Sequence, residues 1–227
     1  METPELVPAP GEPAVVDWLP ISLAGLVERL RTLTASAARP PIVAVDGRGG
    51  GGKSTLAARL VAAIPGAVLV GTDDFAWHAP LFGWSELILD GLLVPLAEGR
   101  SVRYRPPAWD AHGRDGFIEV PADASMIVLE GVGASWDAFA DYVDVAIWVQ
   151  SDFMEAERRG IARDIESGVN GDAEASVAFW HEWMEAELRF HAADRAWERA
   201  MLIVAGTRPG VADGSTASIL YVPGPRE

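Results

Sequence analysis

The sequence predicts an α/β fold of three layers, with helices covering both faces of a mainly parallel sheet of five strands. Three observations lead there. Short apolar, β-branched runs (Ile42 to Val45, Ala67 to Val70, Met126 to Leu129, Val143 to Val149, Met201 to Val204) alternate with longer segments of helical periodicity. The runs are apolar throughout, as strands buried on both faces must be. Their carboxyl ends carry or precede glycines and acids (Gly47, Asp73, Glu130), and ligands of such sheets bind at those ends.

Taken in order, Glu2 to Pro13 combines acids with Pro4, Pro8, Pro10 and Pro13, the composition of a disordered or extended tail. Ile21, Leu23, Leu26, Val27, Leu30 and Leu33 then repeat at helical spacing, giving an amphipathic helix from about Ser22 to Ser36 that Pro40 and Pro41 end. Residues 1–40 are thus a tail plus one helix, and 41–227 form the main domain. A helix through Leu56, Leu60 and Val61 stops at Pro65-Gly66, and another through Leu87, Ile88, Leu92, Leu93 and Leu96 stops at Gly99. Arg100 to Val120 is aromatic, basic and turn-rich, with short β pieces at best. Helices follow from about Asp152 to Glu166 and from about Asp172 to Ala200. A Gly-rich stretch follows the fifth run, and Ile219 to Val222 suggests a short last strand. Trp180, Trp183, Phe190 and Trp197 fall on one helical stripe, which suits core packing better than base stacking.

A net charge of −15 argues against nucleic acid, because a phosphate polymer would be repelled over most of the surface. There is no Cys, so disulfides and thiolate metal sites are excluded. The acidic, Pro-rich start lacks the chemistry of a signal peptide, and no apolar run approaches membrane-spanning length. A cytoplasmic protein is expected, and a homo-oligomer is compatible with these totals. The four His show no ligand spacing.

Ile42 to Ala57 reads IVAVDGRGGGGKSTLA, a strand, a glycine-crowded turn and a helix start. Gly47, four residues, Gly52, Lys53 and Ser54 match the phosphate loop of nucleoside-triphosphate enzymes in the context that motif requires. Gly47, Gly49, Gly50, Gly51 and Gly52 let the backbone approach phosphate oxygens closely. The new helix presents free N–H groups at Lys53, Ser54 and Thr55, Lys53 adds a compact charge, and the Ser54 hydroxyl can ligate Mg²⁺. All 18 basic residues are Arg except Lys53, the one position where a small ammonium must sit among phosphates.

Asp73 and Asp74 follow the second strand, where a carboxylate can orient an attacking hydroxyl and accept its proton; capping of the next turn is the plainer use. Glu130 ends MIVLE, the usual form of an acid in the Mg²⁺ shell beside a phosphate loop. Arg159 and Arg163, four apart on one helix, can close over a triphosphate, although Glu155 also offers Arg159 an ordinary surface pair.

With these residues placed, the chain resembles the uridine kinase-like branch of P-loop kinases, related to phosphoribulokinase and bacterial pantothenate kinase. The resemblance runs from about Ile42 to Ala205. VAVDGRGGGGKST is similar to that family's phosphate loop, TDDF to its acceptor-activating motif with Asp73 as base, and VLEG to its Walker B strand. YRPPAWD resembles its nucleoside-side segment, with Tyr104, Trp109 and Asp110, and ERRGIARD resembles its Arg-bearing lid. His112 lies near the family's nucleoside-binding His but out of register, and no Tyr follows Asp73-Asp74-Phe75. The resemblance implies a kinase that uses ATP and Mg²⁺ on a small-molecule acceptor, nucleoside-like in the first instance. A pantothenate-like or sugar-like acceptor is the alternative, as is a P-loop ATPase or switch acting on a protein partner.

Overall fold

A computed structural model describes residues 6–208 and 218–227. Its strands in chain order are β1 (Leu19–Ile21), β2 (Ile42–Gly47), β3 (Ala67–Gly71), β4 (Val102–Tyr104), β5 (Ile118–Val120), β6 (Met126–Glu130), β7 (Val145–Gln150), β8 (Leu202–Ala205) and β9 (Ile219–Pro223). The main sheet runs β1-β9-β8-β7-β2-β6-β3, and β4 pairs with β5 in a separate antiparallel hairpin. The five expected strands are the parallel part, β8-β7-β2-β6-β3. The sheet itself has seven strands, not five, because β9 and β1 extend it antiparallel at the β8 edge. β1 escaped notice because it is three residues long and contains Pro20. An outermost strand tolerates a proline that a central one would not.

Alternation along β2 explains the layers. Ile42 and Ala44 face one apolar cluster, Val43 and Val45 the other, and all four are fully buried. The second cluster is closed by α1 (Leu23–Leu33) and α2 (Lys53–Ala63) through Leu26, Leu30, Leu56 and Leu60. Ser22 starts α1 by accepting the Gly25 N–H at 3.0 Å. The first cluster is closed by α3 (Thr72–Ala76) and by a helix that runs from α4 (Ser85–Ile88) through a π-helical turn, Leu89–Leu93, into α5 (Val94–Ala97). The wide turn precedes Pro95, which has no N–H to donate, and the Val94 N–H reaches back to the Leu89 carbonyl. Gly91 is bare within it because a Cβ there would lie 2.5 Å from the Tyr104 ring.

α6 (Pro107–Ala111) sits in the β4–β5 connection. α7 (Phe153–Ser167) and α8 (Ala173–Asp194) form a hairpin, their starts capped by Asp152 and Asp172. α8 ends at Arg195, a non-glycine with φ of 52°, and Trp197 belongs to the 3₁₀ turn Ala196–Glu198 beyond it. The stripe of four aromatics therefore loses its last member, because the left-handed residue turns the chain before Trp197.

The N-terminal segment is irregular from Leu6 onward but packed, with Leu6, Ala9 and Glu12 buried. Leu6 and Trp18 join Trp148, Trp197, Ile203 and Leu220 in a third apolar cluster. Of the disordered or extended tail expected over Glu2 to Pro13, residues 6–13 are instead held against the domain by these buried side chains, and the part before Leu6, like most of the Gly-rich stretch after β8, lies outside the described residues. Among the described residues no helix is long and apolar enough to cross a membrane.

Candidate active site

The carboxyl ends of β2, β3 and β6 adjoin, so the turn after β2 stands beside Asp73 and Glu130. Its base is Asp46, fully buried. One carboxylate oxygen accepts the N–H groups of Gly47 at 2.7 Å and Gly133 at 2.9 Å; the other accepts the N–H and hydroxyl of Ser135 at 2.9 and 2.7 Å. The three bonds from Gly133 and Ser135 tie the end of β2 to the turn after β6. Gly47, at φ 147°, leaves no space for a side chain, since a Cβ would fall 2.6 Å from the Val149 carbonyl oxygen. Gly52, at φ 94°, leads into α2 with no side-chain cap, which leaves the first-turn amides of Lys53, Ser54 and Thr55 open to an anion.

Lys53 is 7 % exposed, and its Nζ donates to the Arg48 carbonyl at 2.8 Å. The same carbonyl accepts the Gly51 N–H at 3.1 Å. Outside the motif, Ser151 Oγ and the Thr207 N–H donate to the Gly51 carbonyl at 2.8 and 2.9 Å, and Thr207 Oγ1 to that of Gly50 at 2.8 Å. Glu187 of α8 accepts the Gly49 N–H at 2.7 Å. Burial opposes the Glu187 charge, but His191, Lys53 and Arg48 outweigh it and hold this carboxyl below its ordinary value.

Ser54 and Thr55 are exposed on the first turn of α2, and Ser54 Oγ donates to Glu130 Oε1 at 3.1 Å. Burial pushes the Glu130 carboxyl up; Lys53 and Ser54 pull it back, and the Asp73 and Asp46 charges push it further. Lys53, Ser54, Glu130 and Asp73 thus share one electrostatic neighbourhood. The raised carboxyl has a signed consequence for stability. Because the folded value lies above the unfolded one, ionisation of Glu130 opposes folding, fully absent below about pH 4.5 and fully present above the folded value. Glu130→Gln should therefore raise the melting temperature of the ligand-free protein at pH 7, and the gain should vanish near pH 4. A lower melting temperature at pH 7 would refute this.

Asp73 is exposed in the first turn of α3. Asp74 beside it pairs with Arg114, whose guanidinium lies 3.8 Å above the Trp109 ring and 5.4 Å from that of Trp77. Trp109 is buried and donates its Nε1–H to the Asp74 carbonyl at 2.8 Å. His112 stacks on His78 with centroids 3.8 Å apart, and Trp77 meets both edge-on. Two further expected residues point elsewhere. Asp110 is an exposed partner of Arg105, and Tyr104 packs on Gly91 and Phe75, its hydroxyl raised by burial and by Asp90.

On α7, Arg159 is largely buried and donates to Glu155 at 2.7 Å, while Arg163 is mostly exposed and bonded to Asp164. Hydrogen bonds from Arg158 and Arg159 hold the Glu155 carboxyl down at about 2, so the pair with Arg159 stays charged throughout the neutral range. Gly160 is not there for freedom of motion: a Cβ would lie 1.9 Å from Trp180 Cη2, so its absence lets α8 seat on α7. If Arg159 serves the transition state, Arg159→Ala should cut turnover by about 10³-fold or more, a loss out of proportion to any change in melting temperature. Normal turnover in Arg159→Ala, in a steady-state assay, would confine Arg159 to a structural role.

The uncapped start of α2, the glycine turn and the Ser54–Glu130 oxygen pair have the donor and acceptor chemistry that a triphosphate with Mg²⁺ requires. Sequence reading missed Ser135, Ser151, Glu187 and Thr207, each brought to the loop from a distant element. Only Asp46 carried a signal, an acid closing an otherwise apolar strand.

No protein-family model matches the chain, and no curated protein does. Among solved structures, a candidate fructose transport system kinase from Silicibacter sp. is 23 % identical, with a TM-score of 0.52 over 79 % of this chain and 95 % of that one. A candidate uridine kinase from Bacillus stearothermophilus is 16 % identical, with a TM-score of 0.49 over 80 % of this chain and 98 % of the other. The first likeness shows a shared fold.

Proposed function

We propose that the chain is a phosphotransferase that moves the γ-phosphate of ATP to a hydroxyl of a small acceptor. The observation that carries the reading is the neighbourhood of Lys53, Ser54, Glu130 and Asp73 around an open helix start. The loop amides of Gly50, Gly52, Lys53, Ser54 and Thr55 bind the phosphates, and Lys53 neutralises them. Ser54 and Glu130 would hold Mg²⁺, which supplies charge neutralisation and alignment of the phosphate oxygens when bound. Asp73 accepts the acceptor's hydroxyl proton as that oxygen bonds to the γ-phosphorus, and the bond to the ADP oxygen breaks. Arg159 stabilises charge on the transferring group.

One solved structure that shares this fold is described as a candidate fructose transport system kinase, which favours a hydroxylated metabolite over a protein partner. The acceptor side is built from Asp74, Arg114, Trp77, Trp109 and the His78–His112 stack, with aromatic faces and hydrogen-bonding groups together. Such a surface suits a nucleoside-like ring, and a sugar or pantothenate-like compound is the second reading. The test is ATP consumption across nucleosides, sugars and pantothenate at saturating Mg²⁺, with the product identified by mass. Transfer to none of them, with steady ATP hydrolysis instead, would favour an ATPase.

A further inference from the structure

Arg48 is the second residue of the phosphate loop, and its two ends do different things. Its carbonyl holds Lys53 Nζ and the Gly51 N–H, so the position of this one oxygen sets where the loop's only side-chain ammonium stands. Its guanidinium turns away from the loop into the protein, where the residue is 2 % exposed and Nε, Nη1 and Nη2 have no hydrogen-bond partner. A guanidinium so buried must be balanced by charge. Glu12, with a side chain 1 % exposed, supplies it: Oε2 stands 3.6 Å from Arg48 Nε. Glu187 also interacts with this cation, but it is already engaged by the Gly49 N–H.

Glu12 is itself fixed on its other side. Oε1 accepts from Trp148 Nε1 and from Gln150 Nε2, the latter at 2.9 Å, both on β7. The surrounding segment is fastened to the same place. Gln150 Nε2 donates to the Pro13 carbonyl at 2.8 Å, Gln150 Oε1 accepts the Val15 N–H at 3.0 Å, and the Phe153 N–H donates to the Val7 carbonyl at 2.9 Å. A carboxylate held this rigidly transmits its position rather than merely neutralising a charge.

We propose that Glu12 is a positioning residue for the phosphate loop, acting through Arg48 to fix the carbonyl that orients Lys53. The N-terminal segment is then part of the catalytic unit rather than an appendage. The inference rests on the proposed phosphotransferase reading.

Glu12→Gln tests it cleanly, because the amide oxygen can still accept from Trp148 and Gln150 while the charge opposite Arg48 is gone. Two quantities are measured on the full chain below its melting temperature: Mg·ATP affinity by calorimetry, and hydrogen exchange of the peptide spanning 47–54 without nucleotide. The expected result is Mg·ATP binding weakened about tenfold or more, with faster exchange at 47–54 and unchanged exchange in β2, β6 and β7. Adding Arg48→Met to Glu12→Gln removes the stranded cation and should restore thermal stability but not the lost affinity, since no ion pair then holds the carbonyl; full recovery of affinity would reduce Glu12 to charge neutralisation and overturn the proposal. Wild-type affinity and exchange in Glu12→Gln would overturn the proposal, as would faster exchange throughout the sheet, the mark of a merely structural role. If the parent protein binds no Mg·ATP, the phosphotransferase reading fails, and exchange at 47–54 still decides whether Glu12 fixes the loop.

Discussion

Lys53→Ala is expected to weaken ATP binding and to remove nearly all transfer, by about 10²-fold or more in turnover. No other Lys exists in the chain to substitute for it, and its ammonium is buried beside the glycine turn with one fixed partner, the Arg48 carbonyl. Loss of this charged hydrogen bond costs about 1.5 to 3 kcal/mol, and the Arg48 carbonyl keeps the Gly51 N–H as a partner, so the variant should remain folded and the defect should be chemical. Lys53→Arg should fail as well, because a planar fork does not occupy the place of a compact ammonium. The check is nucleotide affinity by calorimetry beside a steady-state assay. Wild-type ATP affinity in Lys53→Ala would end the assignment of this turn as a phosphate site.

The second large effect separates two acids that stand in the same neighbourhood. Asp73→Asn should leave Mg·ATP affinity nearly intact while turnover falls by about 10²-fold or more. Asp73 is exposed at the open end of α3, where it can reach an acceptor hydroxyl. Glu130→Gln should instead raise the Mg²⁺ concentration needed for half-maximal rate, because its carboxylate is bonded to the Ser54 hydroxyl. The burial that keeps the Glu130 carboxyl high adds a pH signature: metal dependence should steepen as pH falls toward that raised value, and Asp73→Asn should not abolish the steepening. Titrating Mg²⁺ at several pH values resolves the two. Identical defects in both variants would mean that the roles are exchanged or shared.

What could be read in advance divides by physical range. The parallel strands were legible because a strand buried on both faces writes its burial into consecutive residues, as Ile42 to Val45 and Met126 to Leu129 do. The phosphate turn was legible because its glycines, Lys53 and Ser54 are contiguous. β1 was not, since three residues with a proline have no periodicity to detect, and their pairing with β9 joins positions about 200 apart in the chain. Glu12 shows the limit most sharply. In sequence it is one acid among prolines, the composition of a solvated tail, and its meaning depends on Trp148, Gln150 and Arg48, none of them near it along the chain. The same holds for Glu187, one of several acids on α8, which only the fold brings to the Gly49 N–H. Gly160 was legible as a glycine but not by its purpose, because a glycine that admits a neighbour's ring and one that permits motion are spelled alike.

The seating of Trp180 and Trp183 of α8 close against Gly49 and Gly50 gives the molecule an optical property of its own. Indole emission responds to nearby charge and polarity, and here two of the chain's nine indoles adjoin the turn to which a polyanion would come. Occupancy of that turn is therefore coupled to intrinsic fluorescence without any added dye, and replacement of Trp183 by Phe apportions the signal between the two. The absence of Cys extends this, because a single thiol introduced on α2 would be the unique attachment point for an energy acceptor. The approach of α8 to the turn then becomes a distance that can be followed in time.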